Sequence, residues 1–112
     1  MKMKTEIPIE QSIQILEKNL IKIDRVSEWS EYCGYKNGKK FSRLFRNHFG
    51  IRPKIMMSEK KIEKAVELLA QGRISNYEIA LEIGKKDEKA LHTFFKQQTG
   101  NPPEFYRRKK RG

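Results

Sequence analysis

The sequence predicts an all-α fold: two small three-helix subdomains joined by one longer connector helix. Three observations carry this. Apolar residues recur at steps of three and four, and no segment sustains the period of two that a strand needs. Glycines stand where the apolar runs stop, as helix ends require. Shifted by 50 residues, the chain overlays on itself.

The elements follow in order. Pro8 opens the first helix, because a missing N–H costs nothing at the first helical position. Ile9, Ile13, Leu16, Leu20 and Ile23 form its apolar stripe. Asp24 is expected to cap a short second helix with Val26, Trp29, Ser30 and Cys33 on one face, ended by Gly34. Asn37-Gly38 reads as a turn. The third helix turns Phe41, Leu44, Phe45 and His48 or Phe49 inward and stops at Gly50. The connector helix runs from Pro53 to Gln71, with Ile55, Ile62, Ala65, Leu68 and Leu69 on its buried side, before Gly72. Ser75 to Glu78 has the form of a capping box for a helix that buries Ile79, Ala80 and Ile83 and stops at Gly84. Asp87 caps the sixth helix, whose inner residues are Leu91, Phe94 and Phe95, and Gly100 follows. Asn101-Pro102-Pro103 begins a last short helix through Phe105 and Tyr106. The expected organisation is residues 8–52, a connector 53–72, residues 73–108 and a basic tail 109–112.

Composition narrows the function. The 112 residues hold 25 Lys+Arg against 14 Asp+Glu, a net charge of +11. That surplus points to a polyanion, nucleic acid first and an anionic membrane surface second. It is also localised. Residues 32–58 carry seven cations and no acid, and residues 85–112 carry nine cations and three acids, while the intervening stretches are near neutral or acidic. A solvated surface mixes the signs more evenly. A hydrophobic content of 37% supports only a modest core and no large buried active-site cavity. No apolar run nears the roughly 20 residues of a membrane span, and the start has no signal-peptide core. The single Cys33 cannot form an internal disulfide, which favours the cytoplasm. His48 and His92 have no ligand partners at metal spacing, so no metal or cofactor is expected. His48 reads as a partly buried filler, His92 as a surface residue, and Trp29 and Cys33 as core. No nucleophile–base pair, paired carboxylates or phosphate-cradling glycine loop suggests an enzyme.

The repeat sharpens this. Trp29, Ser30, Cys33 and Gly34 fall on Ile79, Ala80, Ile83 and Gly84, and Phe41, Leu44, Phe45 and Arg46 fall on Leu91, Phe94, Phe95 and Lys96. Gly50 and Pro53 fall on Gly100 and Pro103. Each copy is a short helix, a glycine-ended turn and a second helix, the organisation of a helix-turn-helix unit. A plain α-helical repeat protein is the alternative, but it has no need of basic second helices. On Ile79-Ala80, Ile83-Gly84, Asp87, Leu91, Phe94-Phe95-Lys96, Gly100, Pro103 and Tyr106-Arg107, the sequence resembles the DNA-binding domain of AraC/XylS-type bacterial transcription regulators. Ile62, Ala65 and Leu68-Leu69 of the connector fit too, so the resemblance covers residues 8–108. Lys85, Trp29, Ser30 and Leu91 depart from the family's usual residues. The resemblance implies two homeodomain-like helix-turn-helix subdomains that read successive major-groove segments of double-stranded DNA. It also implies a regulator, more often an activator, working on the nucleoid in the cytoplasm.

Site residues follow from the outer faces. Lys39, Ser42, Arg43 and Arg46 share one stripe of the third helix, and Lys89, His92, Thr93 and Lys96 share one of the sixth. Lys39, Ser42 and Arg43, and Lys89 and Thr93, match the family's base-contacting positions, with His92 beside them. Lys39 suits base or phosphate. Lys36, Lys40, Arg46, Arg52, Lys54, Lys85, Lys86 and Lys96 suit phosphate, and helix starts near Asn37 and Ser75 offer backbone N–H groups. The sixth helix has no arginine on its stripe and is expected to read sequence less sharply. A connector of about 18 residues spans about 27 Å, which with helix widths approaches one DNA turn of roughly 34 Å. The chain is expected to act as a monomer on DNA unless a further domain dimerises it, with RNA polymerase as a second partner and no membrane. An RNA-binding protein and a protein-interaction module of the same fold are the alternatives. No effector domain is evident, so a stand-alone protein and a part of a longer regulator both remain open.

Overall fold

The computed structural model describes residues 5–107, and all regular structure among them is helical. Arg108 and the tail 109–112 lie outside the described residues. Two compact units divide the chain, one ending at Met57 and one beginning at Ser58.

In the first unit a 3-10 turn at Ile9–Gln11 leads into α1 (Ser12–Lys18). This helix is shorter than the apolar stripe suggested. Asn19 leaves helical geometry at φ −130°, and its side-chain amide donates to the Ile15 carbonyl at 2.8 Å. Leu20 and Ile23 are still buried, but from the turns that follow. The second helix, α2 (Val26–Tyr32), is capped at Arg25 and not at Asp24. Here Glu28 does the work: its carboxylate accepts from the N–H groups of Asp24 and Arg25 at 3.0 and 2.9 Å. Asn37 is no turn residue either. It caps α3 (Gly38–Phe49), and its Oδ1 accepts from the Lys39 and Lys40 N–H groups at 2.9 and 3.3 Å.

Then α4 runs over Pro53–Gln71, where the sequence placed it. In the second unit come α5 (Asn76–Glu82) and α6 (Glu88–Thr99), then a 3-10 turn at Pro103–Tyr106. Ser75 and Glu78 form the expected capping box. Asp87 accepts from the Ala90 N–H at 2.8 Å. The repeat is reproduced element by element. Helices α2 and α5 cover 26–32 and 76–82, and α3 and α6 cover 38–49 and 88–99, an offset of 50 at every boundary.

Each unit has its own core. The first is aromatic: Trp29 meets Phe41 and Phe45 edge-on at 5.3 and 4.9 Å between centroids, and its indole N–H donates to the Ser12 carbonyl at 2.8 Å. Edge-to-face rings of this kind add about 0.5–1.5 kcal/mol per pair beyond their area. Leu16, Ile23, Cys33 and Met57 close around them. Phe49, not His48, continues the inner row and is half-buried, while His48 is exposed and meets Phe49 edge-on. The reason is the period: residues 41, 45 and 49 stack at steps of four. The second core packs Leu91, Phe94 and Phe95 against Ile79, Ala80 and Ile83, with Ala65 and Leu69 from α4.

The buried row of α4 differs from expectation in its first half. Met57, Lys61, Ala65 and Leu69 are buried at steps of four, whereas Ile55 is 49% exposed. Ala65 and Leu69 stand in the row as expected and Ile62 and Leu68 flank it half-buried, while Lys61 takes the buried place one turn before Ala65.

Candidate nucleic-acid interface

The inner phenylalanines of α3 fix the direction of its opposite face. Lys39, Arg43 and Arg46 are exposed there, and Ser42 is half-buried. Two hollows flank this stripe. One, of about 710 Å³, is lined by Lys36 and Lys39 with Ser27, Asn37 and Ser42. The other, of about 750 Å³, brings Arg43, Arg46, Asn47, Arg52 and Lys54 together with Ser42, Val26 and Pro53. Ser42 borders both, so the small side chain marks the seam between them. Arg52, in the short connection after α3, and Lys54, at the start of α4, add their charge to the same hollow.

Lys40 stands apart from these hollows. Its ammonium lies 2.8 and 3.1 Å from the two carboxylate oxygens of Glu6.

On α6, Lys89, His92, Thr93 and Lys96 are all exposed. A hollow of about 430 Å³ joins Lys85, Lys86, Lys89, Thr93 and Gln97 with Asp87, Ala90 and Phe94. The Lys85 ammonium sits over the Phe94 ring, 4.2 Å from its centroid, which holds the charge at the helix start. His92 and Lys96 lie outside this hollow. Lys96 reaches back to the Gly100 carbonyl at 3.4 Å, at the C-terminal end of its own helix.

Two residues enter that the sequence reading passed over, Asn47 and Gln97. Both are carboxamides, both are exposed, and both line the hollow beside the basic stripe of their helix. They are repeat equivalents at the offset of 50, the signal that singles them out in the sequence itself. A carboxamide offers a donor and an acceptor side by side, the pattern that pairs with adenine in the major groove.

The helix starts are less open than expected. At Asn37 and Ser75 the cap oxygens already accept from the Lys39, Lys40 and Glu78 N–H groups. Nor are all aromatics inward. Tyr77 on α5 is 48% exposed and Phe105 on the last turn 67%, though neither belongs to a basic stripe. Cys33 is fully buried in the first core, and burial pushes its thiol up to about 11, leaving it protonated and inert. Among the described residues, no three His, Cys, Asp or Glu are grouped to hold a metal, and no helix is long and apolar enough to cross a membrane.

Comparison with known proteins places this geometry. A family model described as a helix-turn-helix domain matches residues 37–109. The virulence regulon transcriptional activator VirF of Yersinia enterocolitica is 27% identical over 96 residues, as is the thermoregulatory protein LcrF of Yersinia pestis. The match covers 86% of this chain and 35% of VirF, so the chain spans about a third of the length of these curated relatives. Among solved structures, the C-terminal domain of the two-component response regulator yesN of Fusobacterium nucleatum is 30% identical, with a TM-score of 0.77, covering 88% of this chain and 95% of that one. The C-terminal domain of AraT, a response regulator of Geobacillus stearothermophilus, shares the fold at a TM-score of 0.79 and 24% identity, covering 93% and 87% of the two chains. With two helix-turn-helix units repeated at one offset and a family match over most of its length, the chain belongs to the AraC/XylS-type family of helix-turn-helix transcription regulators.

Proposed function

We propose that the chain binds double-stranded DNA in a sequence-specific manner and activates transcription, reading two successive major-groove segments through α3 and α6. The observation that carries this is the pair of exposed basic stripes on repeat-equivalent helices. Both are second helices of helix-turn-helix units, the element that enters the major groove.

The roles divide by position and chemistry. Arg43, central on α3, suits bidentate pairing with guanine O6 and N7, with Ser42 and Lys39 on neighbouring base edges. On α6, Lys89 and Thr93 take the equivalent places with His92 at their side, and Thr93 has a methyl for thymine as well as a hydroxyl. Asn47 and Gln97 extend each stripe by one turn as carboxamide readers. Lys36, Arg46, Arg52, Lys54, Lys85, Lys86 and Lys96 hold phosphates, which fixes register without reading sequence. Lys40 belongs with them once released from Glu6. The protein works on the nucleoid in the cytoplasm, as a monomer on DNA, with RNA polymerase as its partner in activation. The proposed organisation is residues 8–52, the connector 53–72 and residues 73–108, with one helix-turn-helix unit before the connector in sequence and one after it.

RNA binding by base stacking fits less well. Trp29, Phe41, Phe45 and Phe95 have no exposed surface to offer splayed bases.

Selection from a random duplex library, followed by competition of the selected site against random duplex at several salt concentrations, tests the reading. The expected result is a two-part consensus that resists random competitor. Equal competition by random DNA at every salt would overturn it.

A further inference from the structure

Segment 5–7 is tied to the turn that leads into α3. The Ile7 N–H donates to the Cys33 carbonyl at 3.0 Å, and the Tyr35 hydroxyl donates to the Ile7 carbonyl at 2.8 Å. Thr5 passes so close to Gly34 that a Cβ there would lie 2.3 Å from the Thr5 carbonyl oxygen. Tyr35 is itself anchored, buried and edge-on to Phe41 at 5.4 Å. This strap delivers Glu6 to the first turn of α3, where both carboxylate oxygens meet the Lys40 ammonium. Burial first, and then the Glu6 charge, push the Tyr35 phenol above its usual range, so the carboxylate is felt by its surroundings. Lys40 is not on the central stripe. It lies beside that stripe, three residues before Arg43 and outside both hollows, on the flank where a helix in the groove meets the backbone.

We propose that Glu6 is a resident competitor for DNA phosphate: the strap holds its carboxylate on Lys40, so that phosphate must displace it, which lowers the grip of α3 on the DNA backbone. The inference rests on the double-stranded DNA reading above. The pair is open to replacement, since its two side chains are 42% and 41% exposed. An exposed pair of this kind contributes little to the fold, so its charge can be changed without unfolding the unit. A phosphate offers Lys40 the same geometry as the carboxylate, two oxygens and a negative charge. In the free protein Lys40 is already neutralised, so its contact with DNA releases less counterion than a free lysine would.

The test uses the chain as it stands, a labelled random-sequence duplex and a labelled selected site, with binding followed by anisotropy over a range of salt. Glu6→Gln keeps the shape and removes the charge. It should tighten both duplexes by roughly 2- to 5-fold near ~0.1 M salt, the range an exposed pair can withhold, and steepen the dependence of log K on log salt by up to about 0.9. Tightening should be equal on both duplexes, because phosphate contacts carry no sequence. In a Lys40→Ala background the same substitution should tighten binding far less. Unchanged or weaker binding by Glu6→Gln overturns the inference, as does an undiminished gain without Lys40, which would mark general repulsion. Melting curves matching the parent confirm that the fold is kept. A parent that binds no duplex removes the DNA reading and this inference with it, whereas a binding parent with an indifferent Glu6→Gln removes only this inference.

Discussion

Arg43 and Arg46 are neighbours on one helix, yet their expected roles differ, and substitution separates them. Arg43 sits at the middle of α3 and aims at base edges under the proposal. Arg43→Ala should relax preference at one base position by about 1–3 kcal/mol and leave helicity intact. Arg46→Ala should weaken all duplexes alike and flatten the salt dependence by about 0.9 per lost contact. Site selection and salt titration on both variants read the difference. Cys33 gives a prediction of another kind. Its thiol ordinarily titrates near 9.0 and is pushed up to about 11 by burial, so the folded state prefers it protonated. The resulting stability is fully present below pH 9.0 and is lost as pH rises towards about 11. Denaturant unfolding of Cys33→Ala should lie at a constant offset from the parent below that window and converge with it inside. Exposure of the stripe residues was legible in the sequence, because helical period alone sets it. The partners of Lys40 and Lys96 were not, since Glu6 arrives from 34 residues away and Lys96 folds back on Gly100.

At the scale of elements, two glycines on either side of the first helix-turn-helix turn make opposite demands. Gly34 has φ +83° and no room for a Cβ, because the Thr5 backbone closes on it. Gly38 opens α3 with open space where a Cβ would sit. Gly34→Ala should therefore destabilise by more than the roughly 1–2 kcal/mol of a left-handed L-residue. Gly38→Ala should stabilise by about 0.4–1 kcal/mol, through the unfolded chain it restricts. Urea midpoints of the two variants should move in opposite directions. Helix existence, order and most stops were legible because apolar steps and glycines agree along the chain. The misreadings have local causes. Side-chain amides decide at Asn19 and Asn37, one ending a helix and the other starting it. Glu28 caps from inside the helix, so Asp24 upstream only resembles the cap. On α4, Lys61 is 2% exposed and holds a place in the buried row that hydropathy assigns to an apolar residue.

For the whole molecule, charge and repeat combine into an expectation about the binding site. If six to ten phosphates are neutralised by the two basic blocks, affinity should fall about 10³- to 10⁵-fold between 50 and 200 mM salt. A shallower slope would mean that one unit is idle. Which unit carries the sequence information is a separate matter, and the two stripes are chemically unequal. The hollow beside α3 holds three arginines, Arg43, Arg46 and Arg52. The one beside α6 holds Lys85, Lys86 and Lys89 and no arginine. Arginine pairs with guanine in a fixed two-pronged geometry, whereas lysine is a flexible point charge that tolerates several bases. The selected consensus should therefore have one sharp half that depends on Arg43 and one softer half that depends on Lys89 and Thr93. Thr93→Arg, which gives α6 the residue that α3 has at the equivalent place, should sharpen the softer half and leave the other unchanged. Equal information in both halves of the parent's consensus, or sharpening of the half that Arg43 reads, would show that these side chains do not divide the work in this way.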